Sequence, residues 1–131
     1  MATLSAAACT AACDAIVNLL DGGSGTDPVV FFGTSGNVEV AKCAMGHTAA
    51  FGAATSAAPS VATAAAIDDD TDANGGIIAT SHVTLKNRSG AVIITCTIGT
   101  TSSTDFQIAS LTIGAGDTVG VSSLTVTQPA S

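Results

Sequence analysis

The sequence predicts a mainly β fold, an antiparallel β-sandwich or small barrel, with one N-terminal α-helix. Three observations carry this. After residue 76, short runs rich in Val, Ile and Thr recur at a spacing of about ten residues, with Gly-containing turns between them. Before residue 22, apolar side chains recur at three- and four-residue steps, which is the period of a helix. No linker or internal repeat divides the 131 residues, so the expectation is a single domain over 1–131.

The helix is expected over 4–21. Ser5 is its N-cap, and Ala8, Cys9, Ala12, Cys13, Ile16, Leu19 and Leu20 form the apolar stripe, which stops at Asp21-Gly22-Gly23. That is about four turns, with a narrow, Ala-rich face suited to close approach against a sheet or a neighbouring subunit. Residues 26–50 read as a first hairpin: VVFF at 29–32 is β-branched and aromatic, 33–37 is turn material, and 38–45 returns. Residues 51–67, FGAATSAAPSVATAAAI, are low in complexity. Ala favours helix, but Gly52, Pro59 and the hydroxyl residues favour an extended arm with a short strand over 61–67.

Residues 77–128 hold the sandwich strands. Val83 and Leu85 alternate with His82, Thr84 and Lys86, and Asn87-Arg88-Ser89-Gly90 is a hairpin turn with Gly90 in the left-handed position. The return strand, AVIITCTI, sets Val92, Ile94, Cys96 and Ile98 on one face and Ala91, Ile93, Thr95 and Thr97 on the other. A loop over 99–105 leads to a strand beginning with Phe106 and Ile108, and 114–117 turns into a last strand over 118–128. In that strand Val119 and Val121 have one parity and Leu124 and Val126 the other. A one-residue slip exchanges faces, so Ser122-Ser123 marks either a bulge or a change of sheet, and Pro129 ends the ladder.

Composition narrows the function. There is no Trp or Tyr, and the four aromatics are Phe31, Phe32, Phe51 and Phe106, so the core is built from small side chains and association that buries more surface is expected. Lys42, Lys86 and Arg88 stand against ten acids, for a net charge of −7, which repels nucleic acid and anionic lipid. The N-terminus lacks a positively charged leader segment, and no apolar run reaches the roughly eighteen residues of a membrane span, so the sequence reads as a soluble protein made in a cytosol. Cys9, Cys13, Cys43 and Cys96 suit that compartment as reduced, buried thiols.

Two patterns resemble metal sites. Asp70-Thr71-Asp72-Ala73-Asn74-Gly75 matches the first half of a calcium loop, whose alternating oxygens surround a hard cation. The second half departs, because Ser81 stands where a bidentate Glu belongs, and the same residues are ordinary turn formers. Cys9 and Cys13 with Cys43 and His47 have zinc-binding chemistry but no standard spacing. There is no nucleophile elbow, phosphate loop or H-E-x-x-H, and two His with one Glu, Glu39, leave little acid–base chemistry. The expectation is a protein without catalytic residues or cofactor.

The segments CDAIVNLLDGG, AAFGAATSAAPSVATAAAI, LKNRSGAVI and TIGTTSSTDFQIASLTIGAGDTVGVSSLTVTQP together resemble a group of small virion proteins of tailed bacteriophages. Members share an AIVDLLDAG-like helix, a PAFGAA segment, a D-x-DG-type hairpin, a GTSG-plus-D loop and a last strand of the form I-x-x-G-x-x-V-x-[VI]-x-S-[LF]-T-[IV]-T-x-P. The chain departs from them in its short first hairpin and its four cysteines. The resemblance implies a capsid cement or decoration protein on the exterior of a virion, made in the host bacterial cytoplasm. Its partners would be the major capsid protein and itself, as a trimer at threefold positions. A neck, tail or fibre component is the alternative, as is a calcium-stabilised adhesion or carbohydrate-binding β-module using Asp70, Asp72 and Asn74. The expected contact residues are Ala8, Ala12, Ile16 and Leu19 on the helix, Phe51 on the arm, and Val119, Val121, Leu124 and Val126 on the last strand; the competing reading is that these residues, those of the helix and strand above all, are core.

Overall fold

The structure, a computed structural model, describes residues 2–46 and 48–131. Ser5 has extended backbone and its hydroxyl accepts the amide of Ala8 at 3.2 Å, capping the helix α1, Ala6–Asn18. A 3-10 turn, Leu19–Asp21, follows. Among the described residues ten strands come after it: β1 Val29–Gly33, β2 Glu39–Ala44, β3 Ser60–Thr63, β4 Gly76–Ile77, β5 Val83–Lys86, β6 Val92–Cys96, β7 Ile98–Gly99, β8 Phe106–Gln107, β9 Thr112–Ile113 and β10 Thr125–Gln128. The fold is therefore mainly β with one N-terminal helix, as the periodicities imply.

The largest sheet is antiparallel, in the order β2-β1-β5-β6. Both hairpins predicted from turn chemistry form. Thr34 Oγ1 accepts the amides of Gly36 and Val38 in the first turn, and Asn87 Oδ1 accepts those of Ser89 and Ala91 in the second, where Gly90 has φ +82°. Period-two alternation sends Val30, Phe32, Cys43, Val83 and Leu85 inward, all buried. Phe31 faces outward, with the Lys86 ammonium 3.6 Å from its ring centroid.

A second layer pairs β10 with β3, antiparallel, and α1 lies across both. The helix approaches closely because its inward residues are small. The Cys9 thiol donates to the carbonyl of Pro129 at 3.8 Å and Cys13 to that of Val126 at 3.5 Å. Cys9, Cys13, Val17 and Leu20 form the buried stripe, while Leu19 is 56% exposed and Ala8, Ala12 and Ile16 are half-buried. Leu20 stands three, seven and eleven residues after Val17, Cys13 and Cys9, so the helical period itself carries the buried stripe on to it, while Leu19 falls about 100° round and faces out.

Residues 51–67 contain the expected short strand, as β3 at Ser60–Thr63, but the segment is not an extended arm. They double back as a hairpin under the helix: Gly52 donates to Thr63 O, Thr55 to Val61 O and Ala65 to Ala50 O, each at 2.9 to 3.0 Å. Two helix carboxylates fasten the segment, Asp14 accepting the amide of Ala54 and Asp21 that of Ala50, both at 2.8 Å. Phe51 is 5% exposed and belongs to the core, which corrects its expected role as a contact. The physical reason lies in the Ala side chains, which let a strand lie close under α1, so burial outweighs the freedom of an arm.

The remaining strands are two-residue pieces. β4 pairs with β9 antiparallel and β8 with β7 in parallel, the one parallel pair among the described residues. The last strand is not continuous over 118–128. Val119 pairs with Asp70, residues 120–124 join no ladder, and β10 then pairs with β3. The phase break at Ser122-Ser123 is thus a change of partner. One apolar cluster runs from Cys13 and Val17 through the sheet to Phe106 and Val119, and the rings of Phe32 and Phe106 meet edge-on at 6.1 Å.

Candidate functional site

Several of the carboxylates among the described residues are spent on the fold. Besides Asp14 and Asp21, Asp105 accepts the amide and hydroxyl of Thr97 at 2.9 and 3.2 Å, and Asp117 accepts the amide of Gly114 at 2.8 Å. Arg88, at the β5–β6 turn, lies 3.1 Å from Asp27 and 3.9 Å from Asp21, and its amide donates to Gly22 O. One guanidinium thereby ties the hairpin tip to the end of the helix.

Asp70 is the clearest case. One of its oxygens accepts the amide of Lys42 on β2 at 2.9 Å and the other that of Asp72 at 3.1 Å. Its backbone pairs with Val119, and Gly75 donates to Val40 O. Residues 68–75 therefore run along the outer edge of β2, closing a row of strand groups that would otherwise be open. With Asp70 turned inward, Asp72 and Asn74 stay on the exposed side. The calcium-loop triad is not brought together, and among the described residues no group of three or more His, Cys, Asp or Glu stands close enough to hold a metal ion.

The zinc set is dispersed as well. Cys9 and Cys13 face β10, whereas the Cys43 thiol donates to Val119 O at 3.3 Å. His47 lies outside the described residues. All four cysteines are free and buried. Burial pushes the Cys43 thiol up, with the charges of Asp70 and Asp69 adding to it, and Cys96 is pushed up to about 11 by burial and then by Asp105. The unfolded thiol ionises near 9.0, so below that pH both states hold the proton and stability is unaffected. Between pH 9 and 11 the unfolded chain alone releases it, and stability should fall by up to about 1.4 kcal/mol per pH unit through Cys96. Urea melts at pH 8 and 10.5 measure this. The drop should shrink in Cys96→Ala, and an equal drop in that variant would refute the assignment.

The expected contact residues divide sharply. Phe51 and Val119 are buried, Val119 at 4%, and neither is available to a partner. Val121, Leu124 and Val126 are half-buried and pack against the core from its rim, and on the helix Leu19 offers the most surface.

What joins the last-strand residues among them is a cleft that the sequence reading did not identify. β6 is the outer strand of the large sheet, and β10 pairs on one side only. Between them lies a hollow of about 280 Å³, with Leu85, Cys96 and Phe106 at its floor and Leu124 and Val126 along one wall. A second hollow of about 350 Å³ shares Asp105 and Phe106 with the first and continues beside residues 119–123. On the far side of 121–124 a third, of about 360 Å³, opens toward residues 63–67. The two sequence signals present were the phase break at Ser122-Ser123 and the absence of any charge in VIITC. No family model matches this chain, and no curated protein or solved structure matches it either.

Proposed function

We propose that this chain is a structural, non-enzymatic protein of a tailed-bacteriophage particle: a cement or decoration protein on the capsid exterior that binds the shell of the major capsid protein and stabilises it. The observation that carries the reading is the disposition of the reactive groups. Asp14, Asp21, Asp70, Asp105 and Asp117 each accept backbone amides, and the four thiols are buried in packing positions. A surface so disposed serves adhesion and shape. The motif-by-motif resemblance of the sequence supplies the virion context.

The physical requirements of such a role agree. A net charge of −7 keeps the protein away from packaged nucleic acid. Exposed apolar side chains at Leu19, Val38, Ile77 and Val92 provide docking area. Contacts that are weak one at a time hold when a trimer engages several sites on a lattice at once, and self-association at threefold positions is part of the proposal.

Purified particles, stripped of this protein and then re-supplied with it, test the reading. The expected result is density at repeated lattice positions on the outer shell and a raised melting temperature of the shell. Density confined to the neck, tail or fibres would replace the cement role with that of a component there. Absence from particles altogether would overturn both.

A further inference from the structure

We propose that the cleft between β6 and β10 is a strand-acceptor site, taking an extended, β-branched segment of a partner protein that carries a basic residue at the end nearest Asp105. The inference goes beyond the virion role and stands or falls separately from it.

The cleft is bounded by two open β edges. Ile98 donates to Thr80 O on the β5 side, whereas Thr97 points the other way, its carbonyl accepting the amide of Phe106. Alternation along the strand then turns the backbone groups of Thr95 outward, away from β5. On β10, Leu124 O accepts the amide of Ala64 toward β3, so Thr125 and Thr127 turn their backbone groups away from β3. No ladder joins β6 to β10. The register shift between β5 and β6 falls at Leu85/Lys86 and distorts only the turn end, leaving Ile94–Cys96 as the pairing stretch.

Open edges usually carry a lysine, a proline or a cover. The opposite edge of this sheet is covered by residues 68–75, but VIITC and TVTQ have neither a charge nor a proline. The floor adds a second attraction, since Leu85, Cys96 and Phe106 present apolar surface to whatever lies between the edges. A strand of about five to seven residues, at about 3.3 Å each, spans the edge of β6 and continues past Phe106.

Charge selects the occupant. Among the described residues Asp105 is the single ionisable group lining the two joined hollows apart from the Cys96 thiol, so an added strand meets one carboxylate and no described cation there. A second copy would bring its own Asp105 and a chain charge of −7 to the junction, whereas a foreign segment with one lysine or arginine gains a partner there.

The test uses the isotopically labelled full chain and a blocked heptapeptide of alternating threonine and valine with one terminal lysine. Added peptide should slow amide exchange at Thr95, Thr125 and Thr127 by at least about tenfold, and N-methylation of alternate peptide amides should abolish this. Thr125→Pro should weaken binding by at least about tenfold, and replacing the peptide lysine with glutamate should weaken it too. Because the proline variant could unfold, the N-methylated peptide provides the same test on the unaltered protein. Unprotected edge amides, or protection indifferent to N-methylation, overturn the proposal. Protection that rises with protein concentration in the absence of peptide overturns it in favour of a second copy.

Discussion

Leu85→Ala should lower the stability of the protein by roughly 3 kcal/mol, with a fall in melting temperature on the order of 10 °C. Leu85 is fully buried in an inner strand of the large sheet, opposite Val30 on one side and Ile94 on the other. It also forms part of the cleft floor, so truncation deepens an existing hollow instead of allowing the sheet to collapse. Val92→Ala, on a side chain 51% exposed at the start of β6, should change stability by no more than about 0.5 kcal/mol. Urea titration of both variants distinguishes burial from strand propensity, because both replace a strand former by Ala. Equal losses would contradict the placement of the core.

Gly75→Ala should also be severe, with an expected loss of roughly 2 to 4 kcal/mol, and it separates two kinds of positive-φ glycine within one chain. Gly75 has φ +84°, and a methyl group there would stand 2.6 Å from the amide nitrogen of Ala115, against backbone that cannot swing away. The same residue donates to Val40 O, so any displacement lifts the cover from the edge of β2. Gly90 has nearly the same torsion, φ +82°, but nothing within 4 Å of the added methyl. Gly90→Ala should therefore cost only about 1 kcal/mol, the left-handed torsion alone. If the two variants melt together, the close approach of residues 75 and 115 is wrong.

How far the fold was legible follows from the range of each signal. Ser5, the Cys9, Cys13 and Leu20 part of the apolar stripe, and the turns at 33–37 and 87–90 are local statements about nearby residues, and the structure forms them, although Leu19 of the expected stripe faces out. Residues 51–67 were not legible in the same way. Ala, Gly and Thr hold little local preference, and the segment's course is set by Asp14, Asp21 and the underside of the helix, which are distant in sequence. Asp70 makes the same point for chemistry. Its neighbours spell half a calcium loop, but the amide of Lys42 occupies one of its oxygens.

The sequence alone determined a mainly β chain with one capped helix, two hairpins with defined turns, and a break in the last strand, because periodicity and turn torsions are properties of contiguous residues. Only the tertiary structure decided that the Ala-rich segment lies under the helix, that the carboxylates serve as backbone acceptors, and that β6 and β10 face one another unpaired. Those outcomes depend on which distant edges meet, and burial and hydrogen bonding reward such meetings without leaving a periodic mark in either partner.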